Sequence, residues 1–282
     1  MAGDRRSRIL SVATPRPGPG RGVLIAVAST LVFAAALGVL VTRAPGWDRF
    51  QAYFFDWDRY GDSFPEIAEA FLVNVKIFLI AEAIILVTAL GLAVLRSLPG
   101  PVFFPLRALA VVYADFFRGV PTILVILMLG TGMPALGVEG IPTDQVFWAI
   151  VSLVLVYTAY VSEVYRAGIE SVHPSQDAAA RSLGLTRFQS LRFVVVPQAV
   201  RRVIPPLLND FIGLQKDTAL VSVLGVVEVL RQTQINEAAS FNGTYYLVAA
   251  TLFVALTIPL ARFTDWLVAR DRRKRQAAGV AA

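Results

Sequence analysis

The 282-residue sequence contains no cysteine and a single histidine, His173. The absence of cysteine excludes disulfide bonds, a thiolate nucleophile and any metal site built on thiolates. A single histidine also excludes a metal site built on several histidines. The sequence therefore offers none of these common routes to catalysis or to a bound metal ion.

Charged residues are also scarce, because they make up 16% of the chain whereas hydrophobic residues make up 56%. A soluble domain usually carries about 25% charged residues. The deficit and the long uncharged runs are typical of a protein that crosses the membrane several times. The net charge of +6 would indicate nucleic-acid binding only if the basic residues clustered on a soluble surface. They flank apolar runs instead, so we expect contact with membrane lipid and no nucleic acid.

Six segments have the apolar character and length that a helix needs to cross about 30 Å of hydrocarbon. They are residues 22–41, 68–95, 103–129, 145–162, 203–223 and 244–261. A cleaved signal peptide is the alternative reading of the first segment. Its apolar run is longer than usual, however, and Thr42-Arg43-Ala44 is a poor cleavage site. We therefore predict an all-α membrane protein with about six transmembrane helices.

The distribution of basic residues predicts the orientation of these helices. If both termini lie inside, the inside segments 1–21, 96–107, 163–202 and 262–282 hold 19 of the 26 Lys and Arg residues. The outside gap 130–144 holds none. This positive-inside pattern predicts a multi-pass protein of the cytoplasmic (inner) membrane with both termini in the cytoplasm.

The regions between and beyond the apolar segments complete the predicted organisation. Residues 42–63 are too charged to span the membrane, and their aromatic side chains are typical of the outer interface. We therefore expect this segment to be extracytoplasmic. The basic ranges 1–21 and 271–282 predict cytoplasmic tails, and 64–270 predicts the main transmembrane domain.

A polar interval separates the fourth and fifth apolar segments. Pro174 suits the first turn of a helix, with Ser175 as its cap, and Gly184 is a natural helix end. Residues 185–196 then predict a second short helix, with Pro197 beyond it. A run of alanines with arginines beside it suits either docking onto a cytoplasmic partner or lying on anionic lipid, and these physical arguments favour neither.

This interval resembles the cytoplasmic loop of ABC-importer permeases. The family pattern is Glu-Ala-Ala, three residues, Gly, nine residues and Ile-x-Leu-Pro. Ala179, Ala180, Gly184 and Pro197 stand at the required spacing. Ala178 takes the place of the family's Glu, with Asp177 just before it, so the detailed contacts of the loop are open.

Other segments are similar to permeases that take up polar amino acids. FRGVP at 117–121 resembles their F-R-G-T-P, YRAGIESV at 165–172 resembles the segment before their loop, and 191–234 is similar nearly throughout. The resemblance covers about 64–270. It implies a five-helix permease core, to which the helix at 22–41 is an N-terminal addition.

The resemblance implies a division of labour between chains. The chain lacks the phosphate-binding loop G-x-x-x-x-G-K-[ST], so we expect it not to hydrolyse ATP. The resemblance implies a transporter subunit that is no enzyme and binds no cofactor, with ATP-Mg used by a partner ATPase dimer. Further implied partners are a second permease subunit, identical or different, an extracytoplasmic solute-binding protein and a small polar amino acid. The loop at 168–200, the coupling loop, is implied to contact the ATPase. Its candidate residues are Asp177, Ala178, Ala179, Ala180, Arg181, Gly184 and Pro197.

Charged residues within the apolar segments are costly and therefore indicate function. The candidates for the translocation pathway or for contacts between helices are Glu82, Asp115, Arg118, Lys216, Asp217 and Thr218. Glu82 either lines the cavity and contacts a cationic group of the substrate, or pairs with another helix, or lies near the surface because the segment boundary is misplaced. Asp115 and Arg118 lie one helical turn apart and are expected to pair, and Lys216 and Asp217 are expected to form a hinge or an ion pair between spans.

An ATP-independent secondary transporter of small polar solutes is the alternative function. That class is built on internal repeats and on broken helices that meet at mid-membrane. The sequence shows no repeat, and its distinctive features lie in the coupling loop, so the ABC permease is the favoured prediction.

Overall fold

The structure is a computed structural model that describes residues 19–98 and 100–280. These residues contain helices and no β-strand, which confirms the predicted all-α class. The helices are α1 (Pro19–Thr42), α2 (Trp47–Phe54), α3 (Trp57–Ser97), α4 (Phe104–Gly119), α5 (Thr122–Ala135), α6 (Gln145–Glu170), α7 (Pro174–Ser182), α8 (Arg187–Ser190), α9 (Val196–Asp217), α10 (Val229–Ser240) and α11 (Thr244–Val280). A π-helical turn (Leu191–Val195) precedes α9 and a 3₁₀ segment (Thr218–Leu224) follows it.

The described residues divide into two compact units, one up to residue 52 and one from residue 53 onward. The first unit contains α1, whereas the second contains α3 to α11. The predicted basic tail at 1–21 lies outside the described residues as far as residue 18. At the other end, α11 continues through most of the range predicted as a second tail, and residues 281 and 282 are not described.

Four helices are long and apolar enough to cross a membrane. They cover Gly20–Thr42, part of Trp47–Ser97, Gln145–Glu170 and Thr244–Arg270. These positions agree with the first, second, fourth and sixth predicted segments. The segment 42–63, predicted to be extracytoplasmic, is formed by α2 and the beginning of α3.

The predicted third segment, 103–129, is not one straight helix. It consists of α4 and α5, which are bent by 102° at a short break and make a fifth span only if the pair is counted as one. Val120 has extended backbone angles, φ −95° and ψ 130°. The next residue, Pro121, disfavours helical angles in the residue before it and lacks an amide donor, so the helix ends there.

The predicted fifth segment, 203–223, also differs in its bounds. Helix α9 begins earlier, at Val196, and ends at Asp217, beyond which the chain continues as the 3₁₀ segment. Pro205 and Pro206 lie inside α9. Helix α9 carries two arginines, one lysine and two aspartates, and it is not among the helices apolar enough to span by composition.

The main hydrophobic core of the second unit lies between α3, α5, α6, α9 and the 3₁₀ segment. Ala81, Ile126, Leu153 and Leu214 are fully buried there. Small side chains let the helices approach closely. A Cβ atom added to Gly168 of α6, for example, would lie 2.8 Å from Val203 Cγ1 of α9.

A buried polar contact attaches α10 to α3. The Glu228 carboxylate has no exposed surface. It accepts hydrogen bonds from Asn74 Nδ2 at 2.8 Å, Leu230 N at 3.1 Å and Arg231 N at 2.9 Å. Asn74 Oδ1 in turn accepts from Val229 N at 3.1 Å. The carboxylate thereby satisfies the first amide groups of α10, which have no partner within the helix.

We expect Glu228→Ala to destabilise the protein. It leaves one N–H of the Asn74 amide and two backbone N–H groups buried without an acceptor, whereas the other N–H of that amide keeps Thr218 Oγ1, and each unpaired group costs about 1–3 kcal/mol. The midpoint of thermal unfolding in detergent should therefore fall by about 5 °C or more. Glu139→Ala, in an exposed stretch between α5 and α6, is the control and should leave the midpoint unchanged. Equal midpoints for the two variants would contradict the proposed stabilisation.

Candidate functional site

Helix α7 forms the first half of the coupling loop. Helix α6 ends at Glu170, and α7 begins at Pro174 as predicted. The cap is His173 and not Ser175, because the residue before a proline is extended and so lies outside the helix. His173 Nδ1 accepts a hydrogen bond from Ser175 N at 3.2 Å.

The predicted turn at Gly184 is confirmed. Gly184 has φ +88°, a left-handed conformation that glycine adopts without steric cost. Leu185 N donates to Ala180 O at 3.3 Å across the turn. This pattern satisfies carbonyl groups at the end of α7 and reverses the chain.

The second half of the loop differs from the prediction of one helix over 185–196. Helix α8 covers only Arg187–Ser190, and the π-helical turn Leu191–Val195 joins it to α9. Pro197 lies in the first turn of α9, where its missing N–H costs no hydrogen bond. The second half of the loop is therefore continuous with a core helix.

Asp177 connects the two halves of the loop. Its Oδ1 accepts a hydrogen bond at 2.5 Å from Ser190 Oγ, and Ser190 is fully buried. The carboxylate beside Ala178 therefore braces α7 against α8. Ser190 was not predicted from the sequence, because its partner lies on another helix of the loop.

The alanine run of α7 has one buried and one exposed side. Ala180 is buried, whereas Ala178, Ala179 and Arg181 are exposed. A surface depression lies beside these residues. It is lined by Ala178, Arg181, Ser182, Gly184, Leu185 and Thr186. Small side chains at such a depression allow another surface to approach the backbone.

Large apolar side chains are exposed elsewhere on the same loop. Leu183 is 84% exposed, Phe188 69% and Phe193 64%. Exposed apolar residues that lie together typically mark a contact with a protein or a membrane. The loop therefore exposes both large apolar side chains and the basic Arg181.

Acidic side chains and a tyrosine meet between α3, α6 and α9. Glu82 of α3 is half-buried, and the Asp210 carboxylate of α9 is an acidic group in its electrostatic surroundings. Asp210 Oδ2 is buried and has no hydrogen-bond partner within the described residues. About two helical turns further along α9, Asp217 Oδ2 accepts a hydrogen bond from Tyr157 Oη of α6 at 2.9 Å. Asp210 and Tyr157 were not among the predicted site residues.

Asp115 and Arg118 do not form the expected pair. Arg118 Nη1 lies 3.7 Å from Glu163 of α6, and Asp115 is exposed and makes no salt bridge in the part of the chain that the structure describes. The spacing of one turn allowed the pair, but a carboxylate on the neighbouring helix is the partner of Arg118.

Lys216 and Thr218 lie in different surroundings. Lys216 is exposed, and Asp217 has the tyrosine contact instead of an ion pair with another span. Thr218 is fully buried. Its Oγ1 accepts from Asn74 Nδ2 at 3.2 Å and donates to Gln215 O at 2.7 Å. Thr218 thus belongs to the polar contacts between α3 and the 3₁₀ segment, and a part in transport stays a prediction for these residues.

Comparison with known proteins shows the family of this chain. Residues 101–273 match the family described as the binding-protein-dependent transport system inner membrane component. The chain belongs to this family. The matched range of this inner membrane component runs from α4 into α11 and includes the coupling loop, whereas α1, α2 and α3 lie outside it.

Named relatives of this inner membrane component are similar over most of their length. The probable amino-acid permease protein YxeN of Bacillus subtilis is 35% identical over 206 residues, which cover 72% of this chain and 90% of that protein. The glutamate/aspartate import permease protein GltK of Escherichia coli O157:H7 is 30% identical over 224 residues, which cover 77% and 99%. The crystal structure of an amino acid ABC transporter with histidines has a similar chain, with TM-score 0.69 and 28% identity over 76% of this chain and 98% of that one.

We expect Ser190→Ala to loosen the coupling loop of this inner membrane component. The change removes the hydrogen bond to Asp177, so α7 and α8 separate more often. Trypsin should then cleave after Arg181 or Arg192 several times faster in the detergent-solubilised protein. Ser182→Ala is the matched control, because Ser182 Oγ bonds only to Ala178 O within its own helix. Equal cleavage rates for wild type and Ser190→Ala would show that the brace is unimportant.

Proposed function

We propose that this chain is the transmembrane permease subunit of an ABC importer for polar amino acids. It forms the translocation path and couples it to ATP hydrolysis on a separate ATPase. The observation that carries the proposal is the coupling loop, which presents an exposed alanine helix and a glycine turn in a chain of this family. The relatives include a glutamate/aspartate permease and a transporter solved with histidines, so the supported class is polar amino acids as a whole.

The geometry supports a mechanical role for the coupling loop. Its first half follows α6 after a short link, and its second half continues into α9 through the π-helical turn. When the ATPases bind ATP-Mg and close, α7 moves with the surface on which it docks. That movement is passed to α6 and α9, and it shifts the equilibrium between inward-facing and outward-facing states.

Glu82 and Asp210 support a path for a substrate with an ammonium group. Acidic groups within a membrane domain are costly and are retained for function, and Asp210 has an oxygen without a partner. Every amino acid carries an α-ammonium group that such carboxylates attract. We therefore assign Glu82 to the translocation path, as the substrate contact on α3.

The remaining partners follow from the same proposal. The chain lies in the cytoplasmic membrane with both termini in the cytoplasm. It pairs with a second permease subunit, and an extracytoplasmic solute-binding protein delivers the amino acid. The ATPase dimer binds the coupling loop from the cytoplasmic side.

The coupling loop is tested by purifying the tagged protein from its native membrane. We expect an ATPase to co-purify with the wild type and to be lost with Gly184→Arg, because the large side chain covers the docking surface. Gly140→Arg is the matched control. Gly140 has a similar φ of +87° and the same open surroundings, but it lies between α5 and α6. Absence of an ATPase from the wild type would instead favour the secondary transporter.

Glu82 is tested by uptake into liposomes that contain the purified complex and its binding protein. We expect uptake of radiolabelled amino acids that requires ATP. Glu82→Gln removes a charged contact worth about 1.5–3 kcal/mol, so the KM for uptake should rise about tenfold or more. Glu69→Gln, an exposed residue of the same helix, is the control and should leave KM unchanged. An unaltered KM for Glu82→Gln would remove Glu82 from the path.

A further inference from the structure

Glu163 is the centre of an ion network at the end of α6 that leads into the coupling loop. Its Oε1 pairs with Arg96 of α3 and lies 3.7 Å from Arg118 of α4. Its Oε2 lies 2.7 Å from Arg166 Nη2, which is on α6 itself. One carboxylate therefore holds cations from three helices.

Burial distinguishes this network from an ordinary surface ion pair. The side chains of Glu163 and Arg96 are 16% and 11% exposed. The outer pair between Arg166 and Glu170 has a carboxylate that is 60% exposed. Exposed pairs contribute little to stability, whereas removing one partner of a buried pair leaves an uncompensated charge. The strong contact in the network is therefore the one that joins α3 to α6.

The contact also fixes the register of the two helices. Most of the packing between α3 and α6 is made by apolar side chains such as Ala81, Ile85 and Leu153, and apolar attraction has no direction. Directional contacts between the two helices are the hydroxyl pair Thr88–Thr158 at 2.7 Å and the pair Arg96–Glu163. The ion pair is the one closer to the coupling loop.

The network lies on the route by which the loop reaches the proposed substrate contact. Helix α6 ends soon after Glu163, at Glu170, and α7 begins at Pro174. On the other side of the network, α3 carries both Arg96 and Glu82. A movement of α7 therefore reaches the helix of Glu82 through the Glu163 contact.

We propose that Glu163 is a positioning residue for energy coupling, which makes α3, α4 and α6 move as one body with the coupling loop. The proposal rests on the function proposed above. It predicts that loss of the carboxylate uncouples transport from ATP hydrolysis. A carboxylate that only stabilised the fold would affect hydrolysis and transport in the same proportion.

The experiment measures ATP hydrolysis and amino-acid uptake in the same liposomes, with the complete complex and its binding protein. For Glu163→Gln we expect the ratio of uptake to hydrolysis to fall at least about fivefold, while the ATPase stays bound. Fivefold is about the lower limit of typical coupling effects. Glu163→Asp keeps the charge and should recover part of the ratio. Asp265→Asn removes only the exposed pair with Arg262 on α11 and should match the wild type.

A ratio for Glu163→Gln equal to that of the wild type would overturn the proposal, whether uptake and hydrolysis are both unchanged or both fall in the same proportion.

If Glu163→Gln does not assemble, Arg118→Gln is measured instead, because it removes only the 3.7 Å contact of a side chain that is 42% exposed. Its ratio should fall about twofold, since such pairs are weak, and an unchanged ratio would overturn the proposal. Lack of ATP-driven uptake by the wild type would refute the proposed function itself.

Discussion

Hydrocarbon offers a polar side chain no hydrogen-bond partner, so the polar groups of a membrane domain have to be satisfied inside the protein. Much of this structure follows from that requirement. The Glu228 carboxylate binds Asn74 and the start of α10, Tyr157 binds Asp217, and Arg96 binds Glu163. Each contact joins elements that are far apart in sequence, so the polar groups determine which helices are neighbours.

Some buried polar groups of the described chain have no hydrogen-bond partner, contrary to this requirement. Asp210 has a buried carboxylate oxygen without a partner in the described part of the chain, and Glu82 is a second acidic group in its surroundings. A buried carboxylate oxygen without a partner adds nothing to stability. The arrangement of the two acidic groups is understood if a cationic group visits the site during the transport cycle, which is the part that we propose for the ammonium group of the substrate.

Local signals in the sequence predicted local features well. The turn at Gly184, the start of α7 at Pro174 and the four long apolar helices depend on residues that are neighbours in sequence. Val120-Pro121 carried a signal for the break between α4 and α5, but the apolar run around it concealed that signal. The partners of Asp177, Arg118 and Thr218 were beyond prediction, because each lies on another helix and is chosen by tertiary packing.

The π-helical turn before α9 makes the orientation of the coupling loop depend on the length of the segment between Gly184 and Pro197. A π-helical turn holds one residue more between bonded groups than an α-helical turn does. Each residue of an α-helix turns the chain by about 100°. Removing one residue between Gly184 and Pro197 would thus point α8 to a different side of the molecule. The number of residues after Gly184 therefore determines the direction in which the docking surface faces, in addition to the chemistry of those residues.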